Sequence, residues 1–334
     1  MDMAKRITIK DISKQLNIHH STVSRALRNH PKVKEETKKR IVDYAKKHGY
    51  KVNMSALQLR GSARNVIAVI VPNISHHFFS NAISVITNLA YKEGYIVSVF
   101  QTNESFEQEK QVLDSIIQNN IAGIIASVSM QTSDVSHFKE LERYKIPLVL
   151  FDRLVDDIDV PKVEINNFEI VSQAVRHLIE NGANRIVHIT GSDRISVFRN
   201  RQQAYRHAIK EMGIEYSNTY MIDEDFTLEV GKSATKSIFT EKTIPDAIIC
   251  DSYMLMLGVV LQLKEMDISV PNDVKIICFG NNPSLEVITP SVSSIVQPIT
   301  ELAEASFNLL MKRIEEPDNK QFEQQIFSAK LINR

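Results

Sequence analysis

Residues 19–28 read HHSTVSRALR: two imidazoles, three hydroxyls and two guanidiniums on a stretch short enough for one helix. Val23 and Leu27 stand one turn apart and supply an inward face. His20, Ser21, Ser24, Arg25 and Arg28 are left for the outside. An exposed arginine can fork onto a guanine edge in the major groove, and histidine and serine can bond base edges or phosphates. Working outward, Ile9, Ile12 and Leu16 repeat at helical spacing before the stretch, and Ile41, Ala45 and His48 repeat after it. Asn17 gives a tight turn and Pro31 separates the second helix from the third. Glu35 and Glu36 suit the free amides that open the third helix, and Gly49 ends it. Two short helices joined by a turn predict a helix-turn-helix over residues 8–28 within a three-helix head. A small basic bundle that contacts protein, or only keeps the chain soluble, fits the same residues.

Charge favours the nucleic-acid reading. The chain of 334 residues is neutral, with 40 basic and 40 acidic side chains. Residues 1–60 hold fifteen Lys and Arg against five Asp and Glu, and the remainder holds 25 against 35. A head at +10 on a body at −10 points to a local polyanion partner rather than a generally sticky surface. The length of 334 residues implies more than one domain, and an apolar share of 43% supports a full core. No apolar run reaches the eighteen residues of a membrane span, and MDMAKRITIKD has no apolar run behind its charges. A cytoplasmic protein with no membrane partner is expected. Cys250 and Cys278 each close an IIC run and read as buried thiols, and no CxxC spacing suggests a metal. No cofactor is expected.

After a polar connector the period changes. Val66 to Val71 is a β-branched run, followed by a helical stretch from Phe78 to Lys92 and a strand from Tyr95 to Phe100. Further strands are expected at Gly123–Ala126, Pro147–Leu150, Val163–Ile165, Ile186–Thr190, Ala247–Cys250 and Val274–Cys278. Helices are expected near 107–119, 168–181, 201–212, 229–239, 253–266 and 298–315. Strands that are apolar throughout, with helices between them, predict an α/β body of parallel sheets covered on both faces. This pattern fits one large sheet or two smaller ones.

Residues 8–60 resemble the head of the LacI/GalR family of bacterial transcription regulators. The likeness rests on Thr8-Ile9-Lys10-Asp11-Ile12, on Thr22-Val23-Ser24-Arg25 with Leu27, on Val33-Lys34-Glu35-Glu36-Thr37, and on Gly49-Tyr50 with Asn53. The resemblance implies a recognition helix in the major groove, with His20, Ser21 and Arg25 reading bases. Thr22, Ser24 and Asn29 would then lie nearer phosphate or structural hydrogen bonds. His19 stands where the family has serine or a similar cap, so a helix start held by tertiary packing is expected. Ser55-Ala56-Leu57-Gln58-Leu59-Arg60 is similar to the hinge that becomes helical on operator DNA, with Leu59 as the minor-groove wedge. Leu57 replaces the family's arginine there.

Residues 62–334 resemble the effector-binding core of the same family. The implied architecture is a helix-turn-helix head followed by a two-lobed, periplasmic-binding-protein-like core. The expected division is 1–50 for the head, 51–62 for the hinge and 63–334 for the core. Lobe 1 would take about 63–162 and 292–322, and lobe 2 about 163–291 and 323–334. A polar metabolite, a sugar or nucleoside, would bind between the lobes at the carboxyl ends of the strands.

The same resemblance nominates effector residues. Phe78 of the Pro-Phe-Phe type segment can lie on a sugar or base, and Gln101 ends the second strand. Asp152 belongs to the family's Asp-Arg pair, which can instead be an internal ion pair with Arg153. Asn166 replaces the usual acid of an Asp-Asn pair. Arg201 is the arginine of the family's R..GF motif and can grip hydroxyls or a carboxylate. Phe226 follows Asp225 where relatives carry a stacking ring, and Asp251 follows a strand, where it can take hydroxyls or cap the next helix. Gly280-Asn281-Asn282 departs from the motif GFDD, leaving Asn281 to act with shifted geometry. A roomier cleft for a phosphorylated sugar or oligosaccharide fits that change, as does a different small ligand.

The reading that joins these features is a ligand-controlled repressor working as a homodimer on palindromic operator DNA, with a carbohydrate effector. A dimer without the C-terminal heptads of a tetramer is expected. A corepressor-dependent or activating DNA binder shares every feature. An α/β enzyme is the reading from another class, but no GxGxxG, GxxxxGK or GxSxG motif is present. A sugar-transport binding protein would share the lobes without the head.

Overall fold

Residues 7–27, 33–48, 50, 65–214, 216–240, 244–280, 282–319 and 321–334 are described by a computed structural model. Arg28, Asn29, Pro31, Gly49, the connector 51–62 with Leu57 and Leu59, and Asn281 lie outside the described residues. The chain divides into two units, Met1–Ala63 and Arg64–Arg334.

The first unit contains α1 (Ile9–Leu16), α2 (His20–Leu27) and α3 (Glu35–Lys47). Thr8 and Asp11 form a reciprocal cap at the start of α1. The Thr8 hydroxyl accepts the Asp11 amide, and the Asp11 carboxylate accepts the Thr8 amide at 2.8 Å. Asn17 ends α1 with φ 51°, a left-handed conformation that asparagine tolerates. Ile12, Val23, Ala26, Val33, Ile41 and Ala45 form the core, with Leu16 and Leu27 packed against it. His48, which continues the helical spacing of Ile41 and Ala45, is exposed and stacks on Tyr44 at 4.0 Å instead of joining their core.

The second unit holds two six-stranded sheets. Lobe 1 contains β1 (Val66–Val71), β2 (Ile96–Gln101), β3 (Gly123–Ala126), β4 (Leu148–Phe151), β5 (Lys162–Ile165) and β11 (Gln324–Phe327), in the order β11-β5-β4-β3-β1-β2. Lobe 2 contains β6 (Arg185–Gly191), β7 (Tyr216–Ile222), β8 (Ala247–Cys250), β9 (Lys275–Phe279), β10 (Ser293–Val296) and β12 (Lys330–Ile332), in the order β12-β10-β9-β8-β6-β7. The central strands are buried on both faces. Along β1, Ala68 and Ile70 enter one apolar layer while Ile67, Val69 and Val71 enter the other.

Helices cover both faces. They are α4 (His77–Lys92), α5 (Phe106–Gln118), α6 (Ser136–Arg143), α7 (Asn167–Glu180), α8 (Ser196–Glu211), α9 (Leu228–Ile238), α10 (Tyr253–Glu265) and α11 (Ile299–Glu315). The chain passes between lobes after β5, after β10 and between β11 and β12. The expected lobe boundaries are therefore corrected. Residues 163–165 and 324–327 belong to lobe 1, because β5 and β11 pair with each other and β5 with β4. Residues 293–296 belong to lobe 2, because β10 pairs with β9. Every parallel strand of the sheets ends at the cleft side, so β12, the direct continuation of β11, must run back antiparallel to β10.

Candidate functional site

Helix α2 offers the first candidate surface. His20 and Arg25 are exposed, and Ser21 and Thr22 are partly so. Ser24 is only 9% exposed, which corrects its assignment to the outer face. At 100° per residue it sits on the shoulder beside Leu27, one turn later, where the core begins. The helix start also differs from expectation. His19 Nδ1 accepts the Ser21 amide at 3.4 Å and meets the Ser21 hydroxyl at 2.8 Å, while the His19 carbonyl accepts from Thr22 and Val23. The imidazole thus does the work that a serine cap would do. Asn29 and Leu59 lie outside the described residues.

The second candidate is the cleft between the lobes, with about 900 Å³ of open space partly continuous with solvent. Strand ends position its walls. From lobe 1 come Ser75 to Phe79 after β1, Asp152 and Arg153 after β4, and Gln297. From lobe 2 come Val197, Phe198 and Arg201 on α8, Phe226 after β7, Ser252 to Met254 after β8, and Gly280 after β9. Helix α8 begins at Ser196, earlier than the pattern near 201 predicted. That puts Val197 and Phe198 in its first turn and Arg201 one turn behind them.

Arg201 sits at the floor of the cleft. Its Nε donates to Asn167 Oδ1 at 2.9 Å, one terminal nitrogen lies 3.4 Å from Asp251 Oδ1, and the guanidinium carbon is 3.5 Å from the centroid of the Phe279 ring. Burial lowers the Arg201 pKa, against the carboxylates of Asp251 and Asp152. Asp251 also takes His188 Nε2 at 3.0 Å and the Thr190 hydroxyl. Burial pushes the Asp251 carboxyl up, but Arg201, His188 and Thr190 outweigh it and hold it below the ordinary value. Ser252, not Asp251, caps α10, its Oγ accepting the Met254 amide at 3.1 Å.

Asp152 is held with φ 60°, and its Oδ1 accepts from Gln297 Nε2 at 3.3 Å. Burial raises its carboxyl, opposed by Arg201 and Arg153. Arg153 is not its ion-pair partner. The Arg153 Nη1 lies 2.7 Å from both oxygens of buried Glu104, and its guanidinium stands among the rings of Phe79, Phe198 and Phe226 at 5.2–6.0 Å.

Phe78 is half-buried in the cleft wall, with Phe79 edge-on at 5.2 Å, and Phe226 meets Phe198 at 5.4 Å. Two nominated residues do not reach the cleft. Gln101 Oε1 accepts the Ile74 amide at 2.9 Å and its amide nitrogen bonds Asn103, so its side chain braces the loop after β1. Asn166 caps α7 through the Glu169 amide at 3.1 Å, and the neighbouring Asn167 is the one that meets Arg201. The sequence pattern also missed a contact across the cleft. Asp225 of lobe 2 accepts Asn73 Nδ2 of lobe 1 at 2.7 Å, and His76 Nε2 lies 3.2 Å from its other oxygen. Burial opposes the charge on Asp225, but His76 and Asn73 prevail and its carboxyl titrates below the ordinary value. Nothing in the local sequence marks the partnership, since 152 residues separate Asn73 from Asp225.

Among the described residues, no group of three His, Cys, Asp or Glu side chains is placed to hold a metal ion. No described helix is long and apolar enough to cross a membrane.

Known proteins match both units. Residues 8–53 match the family described as bacterial regulatory proteins, lacI family, and residues 175–334 match the periplasmic binding protein-like domain. The HTH-type transcriptional repressor CytR of Escherichia coli K12 is 31% identical over 308 residues, covering 92% of this chain and 90% of the relative. A crystal structure of the lac repressor dimer bound to operator and the anti-inducer ONPF superposes with a TM-score of 0.84 at 19% identity, over 99% of this chain and 98% of that one. A periplasmic binding protein/LacI transcriptional regulator from Alkaliphilus metalliredigens QYMF, complexed with D-xylulofuranose, superposes with a TM-score of 0.71 at 28% identity, over 81% of this chain and 98% of that one.

Proposed function

The chain belongs to the lacI family of bacterial regulatory proteins, and from that premise we propose that it is an operator-binding repressor whose cleft senses a sugar or related metabolite. The observation that carries the proposal is one chain holding both parts. Helix α2 presents His20 and Arg25 from a packed head, and Arg201, Asp251, Phe78 and Phe226 line the cleft. The protein acts in the cytoplasm as a homodimer, since a palindromic operator needs two heads. Effector binding changes how the lobes close, and through them the spacing of the hinges around Leu59. Conversion of the ligand plays no part.

Selection of the full-length protein against random duplex DNA at moderate salt tests the proposal. A symmetric site of two half-sites with a deformable centre is expected. Asymmetric enrichment, or specific binding that survives deletion of residues 1–60, would sink it. Within the enriched site, Arg25→Ala should cost about 1–3 kcal/mol of discrimination at one base pair. An equal loss on random DNA would assign Arg25 to phosphate instead.

A further inference from the structure

The imidazole of His19 meets Ser21 twice. Its Nδ1 lies 2.8 Å from the Ser21 hydroxyl and 3.4 Å from the Ser21 amide nitrogen. That amide belongs to the first turn of α2, where no carbonyl of the helix can accept it, and its proton points at Nδ1. A proton on Nδ1 would face the amide proton. The arrangement is favourable when Nδ1 carries its lone pair and the ring proton sits on Nε2. The His20 ring packs against the imidazole with centroids 4.1 Å apart. The His19 carbonyl accepts the Thr22 and Val23 amides, and Val23 is buried in the head core, so His19 and Ser21 are held on one packed turn.

With a lone pair on Nδ1, the 2.8 Å contact has one direction: the Ser21 hydroxyl donates. A free serine hydroxyl can donate or accept, and so it tolerates either kind of base edge. The Ser21 hydroxyl has its proton committed to His19 and keeps only lone pairs for anything outside. In the major groove those lone pairs match an exocyclic amino group, N6 of adenine or N4 of cytosine. The N7 and O6 of guanine and the O4 of thymine are acceptors and would face Ser21 without a hydrogen bond.

We propose that His19 is a positioning residue for operator recognition: by accepting the Ser21 hydroxyl proton it makes Ser21 a pure acceptor, which selects an adenine or cytosine amino group at one base pair of each half-site. This rests on the reading of α2 as the helix that enters the major groove with Ser21 on the bases. His19 then acts on specificity through its neighbour, beyond holding the start of the helix.

The test compares the full-length protein with Ser21→Ala, His19→Ala and His19→Asn, each selected on duplexes with randomised half-sites. Ser21→Ala should lose the preference at one base pair, which marks the pair that Ser21 reads. His19→Ala should relax the preference at that same pair and leave the others intact, because the freed hydroxyl can donate as well as accept. His19→Asn should restore it, since a carboxamide oxygen can accept both the hydroxyl and the amide. In a synthetic duplex, removing the exocyclic amino group of the adenine or cytosine at the marked pair should weaken wild-type binding about fivefold, the size of one neutral hydrogen bond, and leave Ser21→Ala unaffected. An equal loss at every base pair in His19→Ala would make His19 a helix cap and nothing more. An amino deletion without effect would show that Ser21 does not accept there. Either result overturns the proposal and leaves Ser21 as a reader. Wild-type preferences at every pair in Ser21→Ala would overturn the reading of Ser21, and the proposal with it. If His19→Ala does not fold, wild-type protein carries the test: nitrogen–proton correlation spectra of labelled histidine locate the ring proton, and a proton on His19 Nδ1 overturns the proposal.

Discussion

The two lobes share a strand order and differ in what they carry at equivalent strand ends. After the first strand, β1 leads into α4 with Phe78 and Phe79 in its first turn, and β6 leads into α8 with Val197 and Phe198 in the same place. After the fourth strand the chain turns through a positive φ in both, at Asp152 (60°) and Gly280 (126°). One position bears a carboxyl and the other bears nothing. After the third strand, lobe 1 has Ser127, whose buried hydroxyl has no partner among the described residues, and lobe 2 has Asp251, the centre of a buried network. Lobe 2 thus presents a fixed polar floor of Arg201, Asn167, Asp251, His188 and Thr190. Lobe 1 covers with rings and places its own buried ion pair, Glu104–Arg153, behind them. A repeated scaffold fixes where side chains can converge. The choice of side chain at each strand end decides what converges there.

Breaking the floor should have the largest effect. Arg201→Ala leaves Asp251 buried without its cation and should cost about 3–5 kcal/mol in denaturant unfolding, together with the effector response. Unchanged effector affinity would show that lobe 2 does not do the gripping. Glu104→Gln is the matching change in lobe 1. It strands Arg153, and it should cost about 3 kcal/mol while moving effector affinity by no more than a few-fold. A large loss of affinity would erase the contrast between the lobes.

Smaller effects sharpen the picture. Asp225→Ala removes one of the contacts that join the lobes, worth about 1–2 kcal/mol for hydrogen bonds to a charged group. Faster amide exchange is expected at residues 73–78 and 223–227, with the sheet strands unaffected. Asp152→Asn should stabilise the protein. Asparagine tolerates the left-handed φ, and burial holds the native carboxyl above its ordinary value. The folded state therefore keeps that proton where the unfolded chain has lost it. Its contribution to stability is full below the ordinary carboxylate value and falls as pH rises through the folded value. Melting curves should place the variant about 2 °C above wild type at neutral pH, with the gap closing in acid.

Local pattern carried much of this protein. The spacing of Val23 and Leu27 marks the inner face of α2, and Glu35 and Glu36 mark the start of α3. The apolar runs at 66–71, 247–250 and 274–278 mark strands buried on both faces, because such strands need apolar side chains at every position. The polar strand β7 and the short helix α6 escaped, since neither has an uninterrupted run or a long periodic face. Motif spacing located Arg201, Asp251, Phe78 and Phe226 at the cleft, but it could not separate Asn166 from Asn167, because adjacent residues at a helix start point in different directions. It also paired Arg153 with its neighbour Asp152, whereas folding brings it to Glu104.

The sequence by itself determined the apolar strands, the longer helices, the basic head and the class of side chains at the strand ends, because these depend on period, charge and local backbone preference. Only the tertiary structure decided which lobe owns β5, β10, β11 and β12, which carboxylate neutralises which guanidinium, and that Asp225 joins Asn73 and His76 across the cleft. Hydrogen bonds and ion pairs are set by distances of a few ångströms in space, and chain separation says nothing about them until the strands are placed side by side.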